Sequence, residues 1–330
     1  MTILQLLRPW IGTGLVLGAI NVLAAPSDAQ SQAFPSGPIR IFVPTAPSTP
    51  PDIISRVIAN EMAKSEGWKV VVENHPGAVM TIAGSEVLKR PADGMSIFAM
   101  SVPVTAAPAF LPNMPFQLAK DFAPVIKVAT SYNVLVVHPS VAANSVAELV
   151  DLIKRNPDKL TFSSGGFGTP AHLIGELFKL RTGVHATHVP YQQFPQAIGD
   201  LISGTNQFMF VTSLPVVDLI ASGRLRALAV TAPKRIPILE DVPTIVEQGF
   251  PELIVEDWVG FAVKTGTPDD IVIRLNAAIN RALVKPSVRE AFAKLGAEPA
   301  GGTAVAYGEL VNAQLVRWAK VVNDSGMKMH

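Results

Sequence analysis

Apolar and polar positions follow two different periods along the chain. Short apolar runs predict strands, and segments with apolar residues three and four positions apart predict amphipathic helices. The predicted strands are 39–43, 68–73, 95–101, 133–138, 160–163, 186–191, 207–212, 226–231 and 255–263. The predicted helices begin at 52 and 81 or span 145–155, 169–180, 195–202, 215–222, 269–284, 287–295 and 303–323. Strands that alternate with helices are typical of an α/β protein with parallel strands.

The strand and helix units fall into two groups of similar size. A proline-rich segment, 108–117, ends the first group, and a late apolar strand and a helical tail follow the second. This order predicts two lobes, with the chain crossing to the second lobe near Tyr132 and returning near Glu252. Lobe 1 is then 35–132 plus 253–330, and lobe 2 is 133–252. The carboxyl ends of strands in α/β proteins border clefts that hold small molecules.

The start of the chain has the pattern of an export signal. One basic residue, Arg8, precedes an uncharged apolar run that reaches Ala25, and small and polar residues follow. We expect residues 1–29 to be a signal peptide, with the mature chain beginning at Gln30 or, after a second possible site, at Phe34. The alternative is a membrane anchor, because the run approaches the roughly 18 residues that span a bilayer. Glycines within the run favour the signal peptide.

Composition and charge exclude several classes of protein. The 330 residues include no cysteine, which excludes thiolate catalysis, zinc ribbons and disulfides. The net charge is +1 and no basic run is interleaved with aromatic residues, so a nucleic-acid partner is not expected. The six histidines do not cluster with carboxylates, so we expect no metal site. Without a G-x-S-x-G, H-E-x-x-H or P-loop pattern, we expect neither an enzyme nor a cofactor.

The strongest local signal is the turn "SSGGFGTPAH", which begins at Ser163. It joins a predicted strand to a predicted helix, with Thr169 placed to cap the helix and Pro170 at its first position. Free amides there, together with the hydroxyls of Ser164 and Thr169, could hold a carboxylate. The alternative is a tight turn that binds nothing.

Two turns in the first group are less polar than a ligand loop usually is. After Gly77, which permits a close backbone approach, Val79 and Met80 precede Thr81, the predicted cap of the next helix. The alternative for this segment is a packed turn without a ligand. The earlier loop 43–56 has prolines at 44, 47, 50 and 51 and no glycine, so it offers few backbone donors.

Several longer stretches resemble a known family. They include "VVVENHPGA", "PADGMSIFAMS", "VLVVHPSVAANSVAELVDLIK", "GTPAHLIGELF", "HVPY", "SGRLRALAVTAPKR" and "EDVPTIVEQG". In these stretches the chain resembles the tripartite tricarboxylate transporter substrate-binding proteins, the Bug or TctC-like receptors. The resemblance implies a type II-like two-lobe periplasmic binding protein that closes on a small organic acid. It also implies delivery of that acid to a membrane permease of one large and one small subunit, and a monomer without a cofactor.

The resemblance also implies where a ligand binds and where this chain departs from its relatives. Relatives typically have glycine-rich loops where this chain has 48–51, 79–80 and 192–194. We therefore expect a ligand with one carboxylate in the second lobe and an apolar or aromatic body against the first. An alternative function is a sensing or interaction protein that presents to a sensor kinase, or a member that has lost ligand binding. The predicted ligand-binding residues are Thr45, Ser48, Thr49, Val79, Met80, Thr81, Ser101, Ser164, Gly166, Phe167, Gly168, Thr169, Tyr191, Gln192 and Thr212.

Overall fold

The structure is a computed structural model that describes residues 34–111 and 113–327. The predicted signal peptide lies outside the described residues. Within the part of the chain that is described, no helix is long and apolar enough to cross a membrane.

The described residues form alternating strands and helices, and each predicted element overlaps an observed one. The strands are β1 (Ile39–Val43), β2 (Val70–Asn74), β3 (Ser96–Ser101), β4 (Phe122–Val137), β5 (Thr161–Ser164), β6 (Thr187–Pro190), β7 (Phe208–Thr212), β8 (Arg226–Val230), β9 (Glu256–Lys264) and β10 (Ala297–Pro299). The helices are α1 (Pro50–Glu66), α2 (Thr81–Leu88), α3 (Val102–Phe110), α4 (Leu118–Asp121), α5 (Val146–Arg155), α6 (Pro170–Thr182), α7 (Phe194–Ile202), α8 (Val217–Ala221), α9 (Asp269–Leu283), α10 (Pro286–Ala293) and α11 (Ala304–Ser325).

Local chemistry explains most helix ends. Helix α1 has Pro50 and Pro51 at its first two positions, where a missing N–H costs nothing, and it ends at Gly67 in the left-handed region with φ 70°. Helix α5 is capped by Ser145, whose hydroxyl accepts from the Glu148 amide at 3.1 Å. The carboxylate of Glu148 accepts from the Asn144 amide at 2.7 Å. In the usual capping box it would accept from the amide of the N-cap residue itself, here Ser145.

Helix α3 and most of β4 were not predicted. Helix α3 contains Pro103 in its first turn and Pro108 near its end. In a sequence, prolines at such positions indicate that a helix ends or is interrupted. Its side chains are nevertheless almost all buried, so packing stabilises the helix despite the prolines. Strand β4 begins at Phe122, eleven residues before the predicted start at 133, because its first part pairs with β9, more than a hundred residues later in the chain.

The strands form two sheets. The first has the order β2-β1-β3-β9-β4, with β10 also paired to β4, and the second has the order β4-β7-β5-β6, with β8 also paired to β4. The pairs of β1 with β2 and β3, and of β5 with β6 and β7, are parallel, as the alternation of strands and helices predicted. Strand β9 is antiparallel to β3 and β4, and β7 and β8 are antiparallel to β4.

Strand β4 belongs to both sheets. Its residues up to Tyr132 pair with β9, and its residues from Asn133 pair with β7. Helix α11 also connects the two sheets, because it packs against α3 on the side of the first sheet and against α6 on the side of the second. One continuous apolar cluster includes Phe98 of β3, Phe162 of β5 and the fully buried Trp318 of α11. The turns that follow β2 and β5 lie close together, since a Cβ placed on Gly168 would lie 3.1 Å from Cγ1 of Val79.

Candidate functional site

The turn between β5 and α6 has the backbone that its glycines predicted. Gly166 has φ 114° and Gly168 has φ 74°, and both values lie in the region that residues with a Cβ rarely adopt. Pro170 is the first residue of α6, as predicted. The start of this thirteen-residue helix carries the positive end of its dipole, which favours a bound anion.

The hydroxyls of this turn hold the turn together. The predicted capping bond of Thr169 is wrong: Thr169 occupies the N-cap position, but its hydroxyl donates to the Gly166 carbonyl at 2.7 Å and makes no cap bond. The Ser164 hydroxyl accepts from the Gly166 amide at 3.1 Å and lies 2.7 Å from Nε2 of His188. Neither hydroxyl is free to hold a carboxylate as the sequence suggested.

The backbone amides of the turn are also partly occupied. The Gly168 amide donates to Nδ1 of His172 at 3.1 Å, in addition to the bond from Gly166 to Ser164. Among residues 34–111 and 113–327, the amides of Gly165 and Phe167 have no hydrogen-bond partner. The turn thus has two donors available for an anion.

Removing the Thr169 hydroxyl tests this description. We expect Thr169→Ala to lower the free energy of unfolding by about 1 kcal/mol, because a neutral hydrogen bond contributes about 0.5–1.5 kcal/mol. Ligand affinity should fall as well, since the turn loses its bond to Gly166, and Thr169→Ser should restore both. Urea unfolding and calorimetry measure the two effects.

A capping threonine elsewhere provides the control for that substitution. Thr303 caps α11 by accepting from the Ala306 amide at 3.1 Å. Thr303→Ala should cost a similar amount of stability, about 1 kcal/mol, and leave affinity unchanged. Unchanged affinity in Thr169→Ala as well would contradict a binding role for the turn.

Two histidines pack against the turn between β5 and α6 and hydrogen-bond to it. The rings of His172 on α6 and His188 on β6 stack at a centroid distance of 4.1 Å and an angle of 20°, and the edge of Phe167 packs on both. Burial, followed by the charge of Lys179, lowers the pKa of His172 to about 4. Burial, followed by the neighbouring His172 and Lys179, lowers the pKa of His188 to about 3. Both imidazoles are therefore neutral near pH 7.

Sequence reasoning did not assign a role to either histidine. The sequence placed both among six histidines that do not cluster with carboxylates, and so as residues without a metal to bind. One signal was available in the sequence. Ser164 directly follows one predicted strand and His188 lies on the next, and these two strands pair side by side in the structure.

The turn that follows β2 has an unusual backbone. Ala78, Val79 and Met80 all have positive φ values, 44°, 51° and 69°, although none is a glycine. A β-branched residue such as Val79 is rare in this region, because its Cβ approaches the following carbonyl. The prediction that Thr81 caps α2 is wrong: Met80 occupies the cap position, and the Thr81 hydroxyl donates to the Ala78 carbonyl at 2.8 Å.

The two turns contact each other. A Cβ placed on Gly168 would lie 3.1 Å from Cγ1 of Val79 and 3.9 Å from the ring of Phe110. The rings of Phe110 and His172 stack with a centroid distance of 6.4 Å. The Ser101 hydroxyl, at the end of β3, donates to the sulfur of Met80 at 3.4 Å, and Ser101 itself is buried. The structure thus brings together Val79, Met80, Ser101 and Gly168 of the predicted site.

The loop before α1 is held by its own side chains. The hydroxyls of Thr45 and Thr49 lie 2.6 Å apart, and Thr49 also donates to the Ala46 carbonyl at 2.8 Å. Ser48 has φ 66°, and its amide donates to the buried carboxylate of Asp52 at 2.9 Å.

The Asp52 carboxylate is the centre of this loop. It also accepts from Asn74 at 2.9 Å and from Arg56 at 3.0 Å. Burial acts to raise the pKa of Asp52, but the hydrogen bonds from Arg56, Asn74 and Ser48 lower it below its usual value. Asp52 therefore stays ionised and anchors the loop that contains Ser48 and Thr49, two of the predicted ligand-binding residues.

The remaining predicted residues lie along the second sheet. The Tyr191 hydroxyl donates to Asp200 at 2.6 Å and accepts from Asn206 at 2.7 Å. The phenol therefore connects α7, which contains Asp200, to the residues just before β7. Gln192 is exposed, and Thr212 ends β7 opposite Asn133, where β4 enters the second sheet. Within the described residues, no group of three or more histidine, aspartate or glutamate side chains could hold a metal ion.

Two α/β sheets that share a strand, with glycine-containing turns meeting between them, define the architecture of periplasmic binding proteins. Within that class, the profile of the tripartite tricarboxylate transporter family receptor matches residues 54–327. The chain belongs to this family, which confirms the resemblance found in its sequence and places it among solute-binding receptors and not among enzymes.

Relatives and solved structures agree with this assignment. The chain is similar to Protein BugT of Bordetella pertussis, with 34% identity over 93% of this chain and 94% of that protein. It is similar to the structure of R. palustris Rpa4515 with adipate, at 32% identity and a TM-score of 0.80, over 89% of this chain and 99% of that one. It is also similar to MatC of Rhodopseudomonas palustris with bound malate, at 30% identity and a TM-score of 0.77, over 88% and 100% of the two chains.

Proposed function

We propose that this chain is an exported receptor that captures a small organic acid between two lobes and delivers it to a membrane permease. The observation that carries the proposal is the contact between the Val79 turn of the first sheet and the Gly168 turn of the second. In the proposal, lobe 1 is 35–132 plus 253–330, lobe 2 is 133–252, and the ligand binds where the two turns meet.

One carboxylate is proposed to bind at the second-sheet turn. The free amides of Gly165 and Phe167, at the positive end of α6, supply two charge-assisted hydrogen bonds. Since the Gly168 amide and the hydroxyls of Ser164 and Thr169 already have partners, the turn has donors for one carboxylate and few for more.

The body of the ligand is proposed to be apolar. Val79 and Met80 replace the glycines of relatives at the facing turn, and the nearby Ser101 hydroxyl is paired with the Met80 sulfur. Burying a carboxylate against these side chains would leave it without donors, which costs several kcal/mol. The adipate and malate of the two similar structures support an organic acid, and the local chemistry supports a monocarboxylate with a branched or aromatic body.

A ligand screen tests both parts of the proposal. Purified mature protein is titrated in a calorimeter with benzoate and 3-methylbutanoate, beside succinate, malate, adipate and citrate. We expect a monocarboxylate to bind most tightly, and at 100 times its Kd to stabilise the fold by about 2.7 kcal/mol in a thermal-shift assay. Tighter binding of the small di- and tricarboxylates would overturn the proposed ligand class, and no binding by any acid would overturn the receptor function.

Export is tested separately from binding. We expect N-terminal sequencing of protein from the periplasmic fraction to begin near Gln30 or Phe34, because small residues precede both positions. A full-length chain that keeps Met1 and sediments with membranes would contradict cleavage. The proposed monomer is checked on the same sample by its mass in solution.

A further inference from the structure

We propose that His172 and His188 form a positioning pair that holds the ligand turn in its binding geometry, and that this geometry requires a neutral imidazole at His172. The inference deepens the proposed function and rests on it. It concerns the buried His172 and the partly buried His188, whose role is to place the amides of Gly165 and Phe167, without touching the ligand.

The hydrogen bonds define the protonation state that the turn needs. The Gly168 amide donates to Nδ1 of His172, so that nitrogen must be unprotonated, and the ring proton resides on Nε2. Nε2 of His188 lies 2.7 Å from the Ser164 hydroxyl, which in turn accepts from the Gly166 amide. Each histidine therefore fixes one glycine of the turn, one directly and one through Ser164.

The stack couples the two imidazoles. With ring centroids 4.1 Å apart, a proton on one ring places a positive charge directly against the other. The aromatic rings of Phe110, Phe162 and Phe167 cover much of the remaining surface of the pair and offer no hydrogen-bond acceptor for a charged imidazole. Neutral rings are thus favoured on both sides of the stack.

The charged groups around the pair also oppose protonation. Lys179 on α6 lowers the pKa of both histidines, and Glu176 on the same helix is paired with Lys179 at 2.9 Å. No carboxylate contributes to either shift, and the depressed pKa values of about 4 and about 3 keep the turn intact down to mildly acidic pH.

Protonation has a defined structural consequence. When the pH falls through the pKa of His172, Nδ1 gains a proton and can no longer accept from Gly168. Two N–H groups then face each other, so the Gly168 amide must move, and Gly168 is the residue of this turn that lies against Val79 of the facing turn. Binding should therefore be insensitive to these histidines near neutral pH and should weaken in acid.

The first test observes the bond without any ligand. In ¹⁵N-labelled mature protein at pH 7, we expect an unprotonated Nδ1 on His172 and a coupling across the hydrogen bond to the Gly168 amide. The amide of Gly168 should exchange with solvent slowly at pH 7 and at least tenfold faster, relative to intrinsic exchange, in His172→Phe. His172→Asn should keep the slow exchange, because its side-chain oxygen replaces Nδ1. His185→Gln, an exposed histidine three residues from His188, is the control and should change nothing.

The second test measures affinity, with adipate, malate and benzoate as probes. At pH 7.5, His172→Phe should weaken the tightest of these about tenfold, the effect of one lost hydrogen bond, while His172→Asn stays within about threefold of the natural protein. As the pH is lowered to 4, the natural protein should lose about twofold in affinity relative to His172→Asn, because a group with a pKa of about 4 is then half protonated. Titration of the probe cancels in this ratio.

The outcomes separate the positioning role from the receptor function. Failure of every acid in the ligand screen to bind, with a Gly168 bond that behaves as expected, would overturn the proposed function and leave the role of the histidines in the turn intact. Fast Gly168 exchange in the natural protein, or a protonated Nδ1 at pH 7, would overturn the positioning pair. Equal affinity in His172→Phe and His172→Asn at every pH would also overturn it, even if the probes bind.

Discussion

Gly168→Val is expected to weaken ligand binding by at least about a hundredfold, since two charge-assisted hydrogen bonds of about 1.5–3 kcal/mol each, about 3–6 kcal/mol together, are lost. The new side chain must adopt φ near 74°, and its Cβ lies 3.1 Å from Cγ1 of Val79 before its own methyl groups are added. The turn then moves away from the facing turn, and the Gly165 and Phe167 amides move with it. Calorimetry with the tightest acid from the screen measures the loss.

Gly183→Val provides the matched control for this substitution. Gly183 ends the same helix with φ 67°, and a Cβ placed there meets nothing within 4 Å. Both variants should lose about 1–2 kcal/mol of stability from the left-handed backbone, but only Gly168→Val should lose affinity. A comparable loss of affinity in both would mean that general destabilisation, and not the turn, accounts for the result.

Val79→Gly is expected to shift ligand preference toward dicarboxylates by about tenfold, the effect of about 1.4 kcal/mol in binding. Glycine removes the isopropyl group from between the two turns and leaves the backbone amide accessible to a second carboxylate. The stability of the protein should change by less than about 1 kcal/mol, because relief of about 1–2 kcal/mol of left-handed strain is offset by added freedom in the unfolded chain and by lost packing. The preference is measured as the ratio of the Kd for adipate to the Kd for benzoate.

Val79→Ala separates the effect of backbone strain at position 79 from the effect of the volume that the side chain fills. Alanine opens most of the same volume but keeps a Cβ at φ near 51°, so this variant should be less stable than Val79→Gly by about 1 kcal/mol. Its preference should lie between those of the natural protein and Val79→Gly. If neither variant changes the ratio of the two Kd values, Val79 does not contact the ligand and the proposed apolar wall is wrong.

The turn at Gly168 shows how much a local pattern can predict. Its glycines, Thr169 and Pro170 were sufficient to place a strand end, a tight turn and a helix start, because φ preferences and the missing proline donor act within a few residues. The bonds of the hydroxyls were not predictable in the same way. A threonine at an N-cap position has the same sequence signature whether it accepts from the helix or, as here, donates to the carbonyl of Gly166.

Helix α3 and strand β4 show where local patterns mislead. Prolines in α3 are typical of a break, but most of its side chains, Pro103 included, are buried, and the helix packs against α11. The first half of β4 was assigned to no element, since its partner β9 lies more than a hundred residues away in sequence. In both cases a distant segment supplies the free energy that the local sequence lacks.

Hydrophobic periodicity and the family's motifs were therefore enough to establish an α/β receptor and the position of its turns. Which donors remain available to a ligand was decided only by the folded chain. His172 reaches Gly168 from the next turn of a helix, His188 reaches Ser164 from a neighbouring strand, and Val79 reaches Gly168 from the other sheet. A hydrogen bond or a steric contact depends on distances within a few ångströms, and only the packing of distant segments sets those distances.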